Sequence, residues 1–185
     1  MPGVVTVGSL SQAERAKRRY DAVLTLEDPS TRQNQRLRFS TRPCPDHLVL
    51  MFEDVDCESF GYTHVTKDQV EKVVAFGRKH TNSSMLVHCY HGVGRSAAAA
   101  LAILADRKGA GAEAEAVSDL FSMRPESTPN LVFVKLADEV LGREGKLMLA
   151  LEEFENRYKE FAVKRERRRK FAEENPHLYT QAKSV

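Results

Sequence analysis

The stretch SSMLVHCYHGVGRSAAAALAILADRKG, residues 83–109, decides how this chain is read. Its first residues, through Val87, are apolar and short enough for a buried strand. Its last part, from Arg95, is an alanine-rich helix former that stops at Gly109. Between them lies VHCYHGVGRS, residues 87–96. Gly92 and Gly94 let the backbone curl so that successive N–H groups turn inward. The helix that follows adds the positive end of its dipole at the same place. Arg95 adds a planar fork of donors. A loop of this kind, built from Tyr90, His91, Gly92, Val93, Gly94 and Arg95, is a cradle for a tetrahedral dianion. Cys89 sits at its entrance, where inward N–H groups and a nearby arginine favour a thiolate, and a thiolate aimed at a bound phosphoryl group is a nucleophile in position. Ser96 can donate a hydrogen bond to the sulfur and ease its departure. His88 can orient the cysteine or tune its basicity.

Working outward, residues 4–7, 21–28 and 47–54 read as strands, the last continuous enough for burial on both faces. Residues 35–40 alternate and suit a strand near an edge. Helices are expected after Ser11, taken as an N-cap, and over 66–79, 95–109, 112–123 and 130–141. The alternation predicts an α/β fold: a central, mostly parallel sheet of about five strands flanked by helices in three layers. Ligands of such sheets bind beyond the carboxyl ends of the strands, where Cys89 falls.

The tail from Glu144 differs. Leu147, Leu151, Phe154, Tyr158 and Phe161 form an apolar stripe on a long C-terminal helix, which ends in KRERRRK, residues 164–170. The expected division is a catalytic domain over 1–146, an amphipathic, basic helix docked on it over 147–175, and a flexible tail over 176–185. The basic run is a solvated helix end or a surface for an acidic partner. The stripe packs on the domain or forms a dimer seam, so a monomer or weak dimer is expected.

The 185 residues make one domain, and a net charge of +2 selects no partner. Nucleic acid is not expected. Three cysteines without a CxxC pair argue against a disulfide framework or a structural zinc site, and for a reducing cytoplasm. The first residues lack the pattern of a signal peptide, and no apolar run approaches a membrane span.

The string His88-Cys89-x-x-Gly92-x-x-Arg95-Ser96, in its strand–loop–helix setting, resembles the phosphate loop of cysteine-dependent protein tyrosine phosphatases. The short chain resembles the dual-specificity branch, especially its bacterial members, over roughly residues 24–149. The resemblance implies hydrolysis of a phosphomonoester in two steps, through a phosphocysteine on Cys89, with Arg95 and the loop amides holding the equatorial oxygens. The implied substrate is phosphotyrosine, with phosphoserine and phosphothreonine as further candidates, and no cofactor or metal is needed. It also implies a general acid after an upstream strand: Asp54, favoured because it directly follows the strand end, with Asp56 as the alternative. RPESTPNLVF, residues 124–133, resembles the family's Arg-Pro…Pro-Asn segment. That makes Asn130 a brace for the loop or a water-positioning group, and equally an N-cap for the next helix.

His91 stands where the family often has alanine. It contacts substrate or points to solvent. Lipid phosphatases of the superfamily favour lysines within the loop and this loop has none, which lowers the case for a phosphoinositide substrate without excluding it; a phosphoinositide or inositol phosphate stays as the alternative substrate. KRRYDAV, residues 17–23, looks like a tyrosine-recognition segment but runs into a strand, so it is coincidental. A metal site on His88, Cys89 and His91 is disfavoured because adjacent strand residues face opposite ways. Rhodanese-type sulfurtransferases lack the upstream aspartate and Ser96. A silent phospho-binding module is the non-enzyme alternative. Cys57 or Cys44 could trap oxidised Cys89 as a disulfide, although spectator roles are the simpler reading.

Overall fold

The computed structural model describes residues 3–56 and 62–178. Among them are four strands, β1 (Val5–Ser9), β2 (Ala22–Glu27), β3 (Asp46–Met51) and β4 (Met85–Cys89), all parallel in the order β1-β4-β2-β3. The seven helices are α1 (Leu10–Ala16), α2 (Lys67–Lys79), α3 (Arg95–Lys108), α4 (Glu113–Met123), α5 (Leu131–Val140), α6 (Lys146–Glu155) and α7 (Lys159–Glu174). This is the expected α/β architecture with one strand fewer.

Residues 35–40 do not pair. Arg36 and Arg38 reach back to Glu27, while Leu37 is buried in a small cluster with Ala13, Val23 and Leu86. The alternation there reflects a loop pinned by the buried Leu37, with Phe39 packed against the same cluster. β3 is an edge strand and mostly half-buried, so its apolar run did not signal burial on both faces. The cap of α1 is Ser9, whose hydroxyl accepts from Gln12 N–H while the Gln12 side chain accepts from Ser9 N–H.

Strand alternation sorts side chains between two layers. Val23 and Leu86 face α1; Leu24, Leu26, Met85, Val87 and Cys89 face the large core with α3, α4 and α5. α3 crosses that core almost wholly buried, and its alanines let it lie close to its neighbours. Gly77 on α2 allows part of this approach: a Cβ there would lie 2.9 Å from Ile103.

The apolar stripe of the tail is shared between two helices. The chain turns at Asn156–Tyr158, where Asn156, Arg157 and Tyr158 N–H groups bond to carbonyls three or four residues back. Phe154 then stacks on Phe121 with centroids 4.2 Å apart, and Phe161 meets the same ring edge-on at 5.2 Å. Leu147, Leu151 and Phe161 are buried against the domain. The final helix, α7, is 16 residues long and is carried back to the end of the sheet where Cys89 lies.

Candidate active site

β4 delivers Cys89 to the carboxyl edge of the sheet, and α3 begins six residues later. The loop between them is shaped by where its carbonyls go. Leu10 N–H donates to Tyr90 O, Arg124 Nε to Gly92 O, Thr128 N–H to Val93 O at 2.7 Å, and Asn130 N–H to Gly94 O. In a planar trans peptide the next N–H points the opposite way from each carbonyl. Carbonyls drawn outward by α1 and by residues 124–130 therefore leave the N–H groups of His91, Val93, Gly94 and Arg95 turned toward the loop's interior. The Gly92 N–H donates to Cys89 Sγ at 3.2 Å. Gly92 has φ +77°, and a Cβ on it would stand 2.6 Å from the Gly8–Ser9 backbone, so glycine is required there.

Ser96 Oγ is 3.2 Å from Cys89 Sγ, and both residues are buried. Arg95 is buried as well. Its Nη1 donates to Phe52 O and its Nη2 to Asp28 Oδ2, both at 2.9 Å, and its Nε has no partner among the described residues. Asp28, at the end of β2, reads in the sequence only as a turn residue. The signal available was its place at the carboxyl end of a parallel strand.

Asp54 is the aspartate whose carboxylate lies against the loop. It occupies the space a side chain at Gly94 would need, with Oδ2 well inside contact distance of an ideal Cβ position. Asn130 Nδ2 donates to Asp54 Oδ1 at 3.1 Å and to Val55 O, while its Oδ1 accepts from Phe133 N–H. Asn130 is thus the N-cap of α5, and the same amide braces the aspartate. Asp56 is turned away, accepting from Leu131 N–H at the start of α5 and from Arg165 and Arg168 on α7.

Arg168 is the residue the sequence did not flag. It forks Asp54, with Nη2 to Oδ1 at 2.9 Å and Nη1 to Oδ2 at 3.3 Å, and its Nε reaches Asp56 Oδ2 at 2.8 Å. Burial pushes the Asp54 carboxyl up, but the charges of Arg168 and then Arg95 outweigh it and hold the group down at about 2. Part of the basic run is thus neutralised inside the molecule.

His88 faces the opposite layer from Cys89. Its Nε2 lies 2.8 Å from Thr25 Oγ1, which lies 2.7 Å from His47 Nε2. Burial lowers both imidazoles to about 4, so each is neutral at pH 7 and the hydroxyl donates to one and accepts from the other. His88 therefore braces the strand under the cysteine and does not enter the loop. Tyr90 and His91 are exposed and meet edge-on at 4.8 Å. Cys44 is half-buried with a free thiol, and Cys57 lies outside the described residues.

Above the loop opens a cleft of about 790 Å³, walled by Asp28, Asp54, Tyr90, His91 and Arg95 on the domain side and by α7 on the other. Among the described residues no helix is long and apolar enough to cross a membrane.

No family model and no curated protein matches the chain. Solved structures do. Tk-PTP in its active form superposes with a TM-score of 0.53 at 18% identity, over 76% of this chain and 93% of that one. PTPMT1 in complex with PI(5)P gives 0.53 at 20% identity, over 76% and 94%. The human tyrosine phosphatase-like serine/threonine/tyrosine-interacting protein gives 0.52 at 19%, over 73% and 89%. The fold is therefore the phosphatase fold that these structures share.

Proposed function

We propose that the chain is a cysteine-dependent phosphomonoester hydrolase. The observation that carries this reading is the loop itself: a cysteine sulfur between a backbone N–H and a serine hydroxyl, each at 3.2 Å, under amides whose carbonyls are tied outward. Cys89 Sγ attacks phosphorus, the P–O bond to the leaving group breaks, and the leaving oxygen takes a proton from Asp54, which must first part from Arg168 to carry one. Water then attacks the phosphocysteine, Asp54 takes its proton, and the sulfur departs with a hydrogen bond from Ser96. Inward amides and Arg95 hold the equatorial oxygens throughout, an electrostatic contribution that dominates phosphoryl transfer. For Arg95 this needs its guanidinium, now shared between Asp28 and Phe52 O, to offer at least its free Nε to the substrate.

Phosphotyrosine in a protein, with phosphoserine and phosphothreonine beside it, is the substrate class the motif implies, and the exposed Tyr90 at the rim supplies an apolar surface for an aryl group. Inositol phosphates form a second reading, favoured by cations on the α7 wall of the cleft. The test is turnover of a chromogenic aryl phosphate in the presence of a chelator, comparing the native chain with Cys89→Ser. Metal-independent turnover that disappears in the variant is expected. Phospholigand binding without turnover in the native chain would instead mark a silent binding module.

A further inference from the structure

The basic run on α7 is unevenly neutralised. Arg165 pairs with Glu155 and Asp56, Arg168 with Asp54 and Asp56, Arg169 with Glu166 and Glu173, and Lys170 with Glu166. Lys164 and Arg167 have no acidic partner among the described residues; Lys164 rests on the Phe161 ring at 4.5 Å. Both line the cleft above the loop. Lys164, Arg167, Arg168 and Phe171 are spaced i, i+3, i+4, i+7, so one face of the helix carries them all. Each acid of the cleft is already matched: Asp28 by Arg95, Asp54 by Arg168, and Glu126 by Arg124. Two positive charges therefore remain unbalanced in a cleft whose floor is built for one dianion.

We propose that Lys164 and Arg167 form a second anion subsite, which takes a further phosphate of a small polyphosphorylated alcohol while the Cys89 loop holds the first. This rests on the loop being a phosphomonoester site, as above. Arg168, one helical turn from Lys164, already touches Asp54 beside the loop, so the subsite lies about a turn of helix, roughly 5 Å along the α7 axis, from that contact. That spacing suits two phosphates on one compact ring. The cleft volume, about 790 Å³, suits a molecule of that size. In lipid phosphatases of the superfamily the extra cations lie within the loop; here the loop has none and a distant helix supplies them.

Binding to the Cys89→Ser chain tests the subsite without requiring turnover. Calorimetry would compare an inositol monophosphate with an inositol bisphosphate carrying neighbouring phosphates. The bisphosphate is expected to bind at least about tenfold tighter at low salt, with the preference shrinking at high salt as exposed charges are screened. Lys164→Ala with Arg167→Ala should remove most of that preference. Arg169→Gln, which deletes a charge from the same helix outside the cleft, should keep it. Equal affinities for the two probes, or a preference lost equally in Arg169→Gln, would overturn the proposal. Vesicles bearing the same bisphosphate as a headgroup distinguish the source: binding there as tight as in solution indicates a lipid, and weaker binding a soluble ligand. A native chain that binds the bisphosphate with this preference yet hydrolyses no phosphomonoester would refute the hydrolase reading alone.

Discussion

Replacing Arg168 with methionine separates the charge on α7 from the chemistry it controls. Asp54 sits at about 2 against an ordinary 3.8, with its carboxylate a quarter exposed. That net lowering corresponds to about 2.4 kcal/mol in favour of the carboxylate, at about 1.36 kcal/mol per unit. It is a balance in which burial works the other way. With Arg168 gone, burial is opposed only by Arg95 and the Asn130 amide, and the carboxyl should rise by about 2 units or more. An acid that must be protonated to act imposes the falling, alkaline limb of the pH–rate profile. For a substrate with a poor leaving group, that limb should move to higher pH by about 2 units in Arg168→Met. For a good leaving group, whose departure needs little proton assistance, it should stay. The assay is kcat/KM across pH for an alkyl and a nitroaryl phosphate. It is repeated with Asp54→Asn, alone and combined with Arg168→Met, where the limb should vanish in both chains. A limb that stays in place, or moves equally for both substrates, would refute the coupling of Arg168 to Asp54.

Three further outcomes follow from the same geometry. Gly94→Ala places a methyl where the Asp54 carboxylate lies, so turnover of poor leaving groups should fall about 10²–10⁴-fold, the usual worth of a general acid, with steady-state kinetics as the check. His88 is held at about 4 when folded against 6.5 when free, so only the unfolded chain takes up its proton between those values. Stability should therefore fall as pH drops from 6.5 to 4, by about 3 kcal/mol from this residue, and denaturant titrations of His88→Gln should show a flatter dependence in that window. The Asp54 contribution lies lower, present above 3.8 and lost as pH falls through about 2. Thr25→Val leaves the buried His88 and the half-buried His47 without their shared hydroxyl and should cost about 1–3 kcal/mol, read as a lower Tm.

The residues of the loop were legible in the sequence because their work is local. A strand that ends at Cys89, two glycines and a helix that begins at Arg95 place sulfur, amides and dipole within one short stretch, and no distant contact is needed to bring them together. The parallel sheet was legible for the same reason, from alternating apolar runs and helical periods. Where one-dimensional patterns misled, burial was the cause: Leu37 and Phe39 mimicked a strand while packing inward from a loop, and β3 kept an apolar run at an edge.

Chain order favoured Asp54, which directly follows the strand end, but left Asp56 open, so which aspartate faces the loop was not settled there. It was decided by Gly94, which leaves room for one carboxylate, and by α5 and α7, which draw the other away. Nor could the sequence assign the basic run. Charge read along a helix looks like a solvated face until the turn at residues 156–158 brings that helix across the cleft. Only then do Arg165 and Arg168 meet the acids more than a hundred residues upstream, and Lys164 and Arg167 line the same cleft as Tyr90, His91 and Arg95 with no acidic partner among the described residues. Local sequence determined the cysteine and the loop around it, because short-range geometry makes them; the tertiary structure alone decided the charge state of Asp54 and the cations around it, because those depend on which distant groups are pressed together.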